Sequence, residues 1–324
     1  MTAETAPVRT ARAFAEVFDA ITTNVARVVQ GSGDAIRLAL VTMVAEGHLL
    51  IEDVPGVGKT TLARALAASV HGQWRRIQFT PDLLPSDVIG VTVYNRELAT
   101  FEFRPGGVFT NVVLADELNR ASPKTQAALL EAMEESQVTV DATTYPLPRP
   151  FMVIATQNPL ERQGTYPLPD SQLDRFLMRI SLGYPGRSAE MDMLDTHGAA
   201  QPAAEPEAVA GPADVHAMIA AARAVHVAHS LKGYILEIAD ATRAHPALAL
   251  GMSPRSALAL LRASRAEAAA SGRDHLLPDD VRRVALPVLE HRLVLAPEAR
   301  VRGTSRKDVL DEVLASVPVP IGRS

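Results

Sequence analysis

Cysteine is absent from the 324 residues, so disulfides and thiolate metal sites are excluded, as fits a reducing cytoplasm. Aromatic residues make up only 4% and the net charge is −5. Such a balance argues against a surface that tracks nucleic-acid phosphates or stacks bases, and leaves room only for a local basic pore. Long apolar runs are also missing. The longest of the N-terminal third spans 38–45, far short of a bilayer, and residues 1–14 lack the apolar segment of a signal peptide. A cytoplasmic protein without a transmembrane segment is therefore expected. Lysine is scarce, standing only at 59, 124, 232 and 307, while arginine supplies the other 28 of 32 basic residues. Apolar residues are plentiful, 47% of the chain, enough for two domains with cores of their own.

One of the four lysines falls in the stretch that organises the chain, Glu52-Asp53-Val54-Pro55-Gly56-Val57-Gly58-Lys59-Thr60-Thr61. An apolar run, 49–51, reads as a buried strand, breaks at Pro55 and Gly56, and gives way to an Ala/Leu-rich helix near Lys59. A phosphate-binding loop needs this order. Glycines let backbone N–H groups converge on phosphates, and the helix N-terminus adds positive potential. Lys59 would reach the β- and γ-phosphates and the Thr60 hydroxyl would bind Mg²⁺. Asp53, Val54, Pro55, Gly56, Val57, Gly58, Lys59, Thr60 and Thr61 are thus the candidate nucleotide-binding residues. Asp53 departs from the usual pattern, which has glycine there.

Upstream, Phe14, Val17, Phe18, Ile21, Val25 and Val28 recur at helical spacing, and a turn at 30–33 leads into a helix from 34 to 46 capped by Asp34. Val28, Val29 and Gly31 are candidates either for a base pocket or for ordinary core. Downstream, a strand is expected over 75–79, then a segment to Asp87 too rich in Pro and Asp for a regular element, then a hairpin of 91–94 with 101–103. The apolar strand 111–115 ends in Asp116 and Glu117. In a parallel sheet ligands bind at the carboxyl ends of the strands, where Asp116 can hold the Mg²⁺ hydration shell and Glu117 can polarise an attacking water. Ser122-Pro123 starts a helix running to Glu135, a second hairpin joins 137–141 to 144–147, and the buried strand 150–156 precedes Asn158, whose amide can orient that water against the γ-phosphate.

With these pieces placed, the chain resembles the MoxR family of AAA+ ATPases over nearly its whole length. The matching stretches are the phosphate loop, residues 78–87 from Gln78 to Asp87, Phe103-Arg104-Pro105-Gly106, residues 114–121 from Leu114 to Ala121, Ala155-Thr156-Gln157-Asn158-Pro159, Gly164-Thr165-Tyr166-Pro167-Leu168-Pro169, and Gln172-Leu173-Asp174-Arg175-Phe176. Small departures stand at Gly107-Val108 and at Arg162-Gln163. The resemblance implies an α/β fold: a P-loop core with a central parallel sheet flanked by helices, and a small all-α C-terminal lid. It implies ATP and Mg²⁺ as ligands, Asn158 as the sensor-1 residue, and Arg175 as an arginine finger acting on a neighbouring subunit's γ-phosphate, with Arg120, Arg162 and Arg179 as rivals. The two hairpins correspond to family insertions, one of which faces substrate or pore in many such rings.

Residues 199–213 shift to Ala, Pro and Glu without periodicity and read as a linker between a core at 1–198 and a lid at 214–324. Helices are expected at 214–227, 231–245, 254–271, 278–293 and 307–315. Ser253-Pro254-Arg255 puts a cap, a proline and an arginine at a helix start, so Arg255 is the candidate sensor-2 contact to nucleotide. His226 and His229 sit near each other without a third ligand, and no hydrolase motif other than the nucleotide site occurs. The resemblance further implies a ring of identical subunits, six in number, a chaperone-like role on client protein complexes, among them metalloenzymes, and a partner carrying a von Willebrand A domain. A nucleotide-gated scaffold without turnover and a nucleic-acid motor or transcription activator are the alternatives.

Overall fold

The computed structural model describes residues 11–158, 164–184, 186, 187, 190, 191 and 206–320. In chain order the first part contains α1 (Ala11–Ala26), α2 (Gly33–Val44), β1 (Leu49–Glu52), α3 (Lys59–Ser69), β2 (Trp74–Gln78) and α4 (Pro85–Ile89). Next come the hairpin β3 (Gly90–Asn95) and β4 (Thr100–Pro105), then β5 (Val112–Asp116), α5 (Pro123–Glu135), the hairpin β6 (Gln137–Val140) and β7 (Thr143–Pro146), β8 (Met152–Gln157), α6 (Asp170–Leu173) and β9 (Met178–Ile180).

Five strands form one parallel sheet in the order β2-β5-β8-β1-β9. Strand side chains alternate between faces, and the sequence is apolar on both. Leu49, Ile51, Val112, Leu114, Met152 and Ile154 join a core shared with α1, α2, α3 and the lid helices. Leu50, Val113, Ala115, Val153 and Ala155 join a second core with α5 and Phe79. Every residue of β5 is buried, so its end is held on both sides. Phe14, Phe18, Ile21 and Val25 line the buried face of α1, each fully burying a side chain worth roughly 1.5–3 kcal/mol.

The remaining helices are α7 (Pro212–Ala224), α8 (His229–Ala244), α9 (Pro254–Ala270), α10 (Pro278–Leu289), α11 (Pro297–Val301) and α12 (Arg306–Ser316). The alanine-rich α9 packs closely on α10, α7, α1 and α2, because small side chains let helix axes approach. Glu267 of α9, almost wholly buried, is paired with Arg37 of α2 at 2.7 Å and with Arg283 of α10 at 3.3 Å, which fixes these helices to the core.

Several expectations need correction. The Pro/Asp-rich segment does contain a regular element, α4: Pro85 suits a first turn, and the Asp87 carboxylate accepts the Leu84 N–H at 2.9 Å. Ser32, not Asp34, occupies the N-cap position of α2. The C-terminal part is not all-helical, since β10 (Leu248–Leu250) and β11 (Val294–Leu295) form an antiparallel pair. Residues 199–205 of the expected linker lie outside the described residues. The stretch 206–211 is tied down: the Val209 and Ala210 N–H groups donate to the Ser69 carbonyl at 3.0 Å, and the Asn24 amide donates to the Glu207 carbonyl at 2.8 Å. The helix expected from residue 214 begins two residues earlier, at Pro212. Among the described residues no helix is long and apolar enough to cross a membrane.

Candidate active site

The loop between β1 and α3 turns on two glycines in the left-handed region, Gly56 at φ +87° and Gly58 at φ +94°. A side chain at either position would strain the backbone. The turn opens a cavity of about 370 Å³ lined by Pro55, Gly56, Gly58, Lys59, Thr60, Thr61, Arg76, Asp116, Glu117, Thr156 and Asn158. The ends of β2, β5 and β8 therefore meet the start of α3 at one place, as adjacent parallel strands require. Lys59 Nζ donates to the Asp53 carbonyl at 2.8 Å. Burial pushes the Lys59 ammonium below its ordinary pKa, against the pull of Asp116, Asp53 and Glu117.

The carboxylates at the end of β5 are held from several sides. Asp116 Oδ1 accepts from the Thr156 hydroxyl at 2.6 Å, and Oδ2 accepts from Arg76 Nε and Nη2 at 3.0 and 2.5 Å. Glu117 adopts the left-handed backbone conformation at φ +55°, uncommon for a residue with a side chain, and its N–H donates to Thr156 Oγ1 at 2.9 Å. This turns its carboxylate toward Gln78 and Arg120, which donate to Oε2 at 2.8 and 2.9 Å. Arg76, Gln78, Thr156 and Arg120 were not candidates from the sequence for roles beside these acids. The signal was present: Arg76 and Gln78 are polar residues flanking the buried Ile77 in β2, and Thr156 precedes Asn158 by two.

Asp53, Val54 and Val57 do not line the cavity. Burial alone would raise the Asp53 carboxyl. Four hydrogen bonds outweigh it and hold the group below the usual carboxylate range: the N–H groups of Gly183, Leu182 and Val54 and the Ser181 hydroxyl, at 2.7, 2.7, 2.9 and 2.9 Å. Asp53 thus fastens the loop to the segment after β9, which explains why a carboxylate stands where glycine is usual. Val28 and Val29 pack with the main core.

Arg175 and Arg255 lie elsewhere, in a second cavity of about 420 Å³ between α5, the segment before β9 and the lid. Arg175 Nη1 donates to the Leu130 carbonyl at 2.8 Å and pairs with Glu134 Oε2 at 2.6 Å. Arg255 pairs with the other oxygen of Glu134 at 3.2 Å and with Asp174 at 3.4 Å. Arg255 therefore lies outside the loop cavity of its own chain. The cause is the seat of the lid: His291 Nε2 and Arg292 Nη2 donate to the Phe176 carbonyl at 3.0 and 2.6 Å, and Arg292 Nε donates to Asp174 at 2.7 Å. Burial brings the Arg292 guanidinium down to about 10 against the opposing pull of Asp174. These contacts hold the start of α9 over Arg175 rather than over the loop. Of the rival arginines, Arg120 is bound to Glu117, Arg179 is paired with Glu52 and Glu290 at 3.1 Å each, and Arg162 lies outside the described residues.

Comparison with known proteins agrees with this geometry. The model of the ATPase family associated with various cellular activities (AAA) matches residues 48–178, and that of the AAA lid domain matches residues 240–313. The uncharacterized protein YeaC of Bacillus subtilis is 49% identical, covering 92% of this chain and 93% of its own. Chaperone MoxR1 of Mycobacterium tuberculosis is 41% identical, covering 91% of this chain and 80% of its own. The crystal structure of a putative ATPase from Cytophaga hutchinsonii superposes with a TM-score of 0.90 at 38% identity, covering 96% of this chain and 97% of that one. A five-stranded sheet with a glycine-turned loop after one strand and an acid pair at the carboxyl end of an inner one, matched over nine-tenths of the chain to proteins of this kind, means that the chain belongs to the MoxR family of AAA+ ATPases.

Proposed function

We propose that the protein hydrolyses ATP at the loop cavity and that the reaction runs only between neighbouring subunits of a ring. The observation that carries this reading is the convergence of Lys59, Thr60, Asp116, Glu117 and Asn158 on one cavity while Arg175 and Arg255 lie on another surface of the same chain. Backbone N–H groups of the loop and the start of α3 bind the phosphates, and Lys59 neutralises the β- and γ-oxygens. The Thr60 hydroxyl and the Asp116 carboxylate are hard oxygen donors lining the same cavity, a set that fits Mg²⁺. Held there, the ion would neutralise negative charge that develops on the phosphates. Glu117 accepts a proton from the attacking water and Asn158 orients that water for in-line attack.

Arg175 and Arg255 complete a neighbour's site. A guanidinium matches the spread charge of a transferring phosphoryl group, and such an arginine contributes about 10³–10⁵ in rate where it acts. A cyclic, head-to-tail assembly of six copies brings the arginine surface of one subunit to the loop cavity of the next. Hydrolysis then moves lid against core and remodels a client protein complex, a role supported by the relative named Chaperone MoxR1. A metalloenzyme client, a von Willebrand A domain partner and a cytoplasmic location belong to the same reading. The test is phosphate release as a function of protein concentration, with Glu117→Gln as control. Specific activity rises with concentration for the wild type, and equal release by the variant would sink the reading. An ATP-held Glu117→Gln protein is also the bait expected to retain the client.

A further inference from the structure

Both cavity carboxylates are already engaged by the chain's own side chains, and one of these contacts stands where a metal shell has to be. The two N–H groups of Arg76 take up Oδ2 of Asp116, at 3.0 and 2.5 Å, while Thr156 holds Oδ1 at 2.6 Å. A carboxylate oxygen offers two lone-pair directions, so Oδ2 has none left for water bound to a metal. The Arg76 side chain is about half exposed, 49%, and comes from the neighbouring strand β2, so it can withdraw without disturbing the core. A divalent cation arriving within about 4 Å would also repel it.

We propose that Arg76 is a positioning residue that competes with Mg²⁺ for Asp116, so that metal capture through Oδ2 requires its guanidinium to leave. This rests on the reading of the loop cavity as a Mg·nucleotide site. The exchange reaches Glu117 as well. Arg76 Nη2 donates to Gln78 Oε1 at 2.7 Å, and Gln78 Nε2 donates to Glu117 Oε2 at 2.8 Å. One side chain therefore fixes the Gln78 amide in the orientation that holds the Glu117 carboxylate, and its departure loosens both acids together.

The experiment is calorimetric binding of ADP to the full chain with and without Mg²⁺, comparing wild type, Arg76→Gln and Arg76→Lys. The readout is the factor by which the metal strengthens ADP binding, which needs no turnover. Removing the competing charge raises that factor about two- to fivefold in Arg76→Gln, in proportion to the strength of a half-exposed ion pair, whereas Arg76→Lys, which keeps the charge without the second hydrogen bond to Oδ2, falls between wild type and Arg76→Gln. An unchanged or smaller factor in Arg76→Gln overturns the inference. Failure of the wild type to bind ADP at all overturns the nucleotide-site reading instead, so the two failures are distinguishable. Thermal unfolding of the ligand-free chain serves as the folding control, and because Arg76 lines the same cavity, a factor that rises only because metal-free ADP binding weakens also overturns the inference.

Discussion

The two cavities differ in charge and are alike in plan: the loop cavity balances Lys59 and Arg76 against Asp116 and Glu117, whereas the lid cavity holds more arginines than acids. At the loop, acids are held by basic side chains: Asp116 by Arg76, Glu117 by Arg120. At the lid junction, arginines are held by acids: Arg175 and Arg255 share Glu134, and Arg255 and Arg292 share Asp174. Under the proposed function, each cavity carries within the chain a substitute for what a neighbouring subunit would present. The lesson is that within one chain the acids of the loop cavity and the arginines of the lid cavity are each held by oppositely charged side chains of the same chain.

The comparison breaks most visibly at Arg175. Arg175→Ala is expected to lose about 10³-fold or more in turnover while ADP affinity stays within about twofold. A variant that keeps its turnover would mean that the second cavity takes no part in the reaction. Next comes Glu117→Gln, expected to lose about 10²- to 10⁴-fold with nucleotide still bound. Mixing these two inactive variants sharpens the comparison further. In a random ring about a quarter of the interfaces pair an intact Glu117 with an intact Arg175, so phosphate release recovers to about that fraction. No recovery would mean that Arg175 acts within its own chain.

Smaller effects separate binding from architecture. Asp53→Gly restores the usual loop pattern yet removes an acid that accepts four hydrogen bonds, and is expected to destabilise the fold by about 3 kcal/mol in urea unfolding. Equal stability would assign Asp53 to the ligand instead. The smallest and most general effect is acid sensitivity. His48 accepts the Val153 N–H at Nδ1 and donates to the Met133 carbonyl from Nε2, both at 3.0 Å, which keeps it neutral. Burial brings its pKa from 6.5 down to about 4, and burial also pushes His291 well below its ordinary value. The unfolded chain takes up protons near pH 6.5 and the folded chain does not. Stability is therefore full above that pH and falls by up to about 1.4 kcal/mol per pH unit for each imidazole as pH drops toward 4. A flat denaturation midpoint across that window would show that these histidines protonate without cost.

Much of the fold was legible because the information is local. β5 and β8 are continuous apolar runs, the two hairpins alternate in pattern, and Ser122 caps α5 through the Thr125 N–H at 3.3 Å, as its Ser-Pro start implies. Other elements were not legible. β9 is three residues long with Arg179 at its centre, so it is a strand only because β1 supplies its pairing. β10 and β11 are likewise joined across a long helical stretch of the lid. In the site, the loop and the two strand-end acids could be read as a unit, whereas Arg76 and Gln78 acquire meaning only once β2 lies beside β5.

Local chemistry alone, in the spacing of Gly56, Gly58, Lys59 and Thr60 and in an apolar strand ending at Asp116-Glu117, determined that this chain would build a phosphate loop and an acid pair. Tertiary structure alone decided which arginine faces which acid. The distance from Arg255 to the loop depends on where the lid sits, and that is set by contacts of His291 and Arg292 with the carbonyls of the segment before β9, more than a hundred residues away in sequence. No periodicity or motif records such a contact, because it is the packing of two separately folded surfaces that creates it.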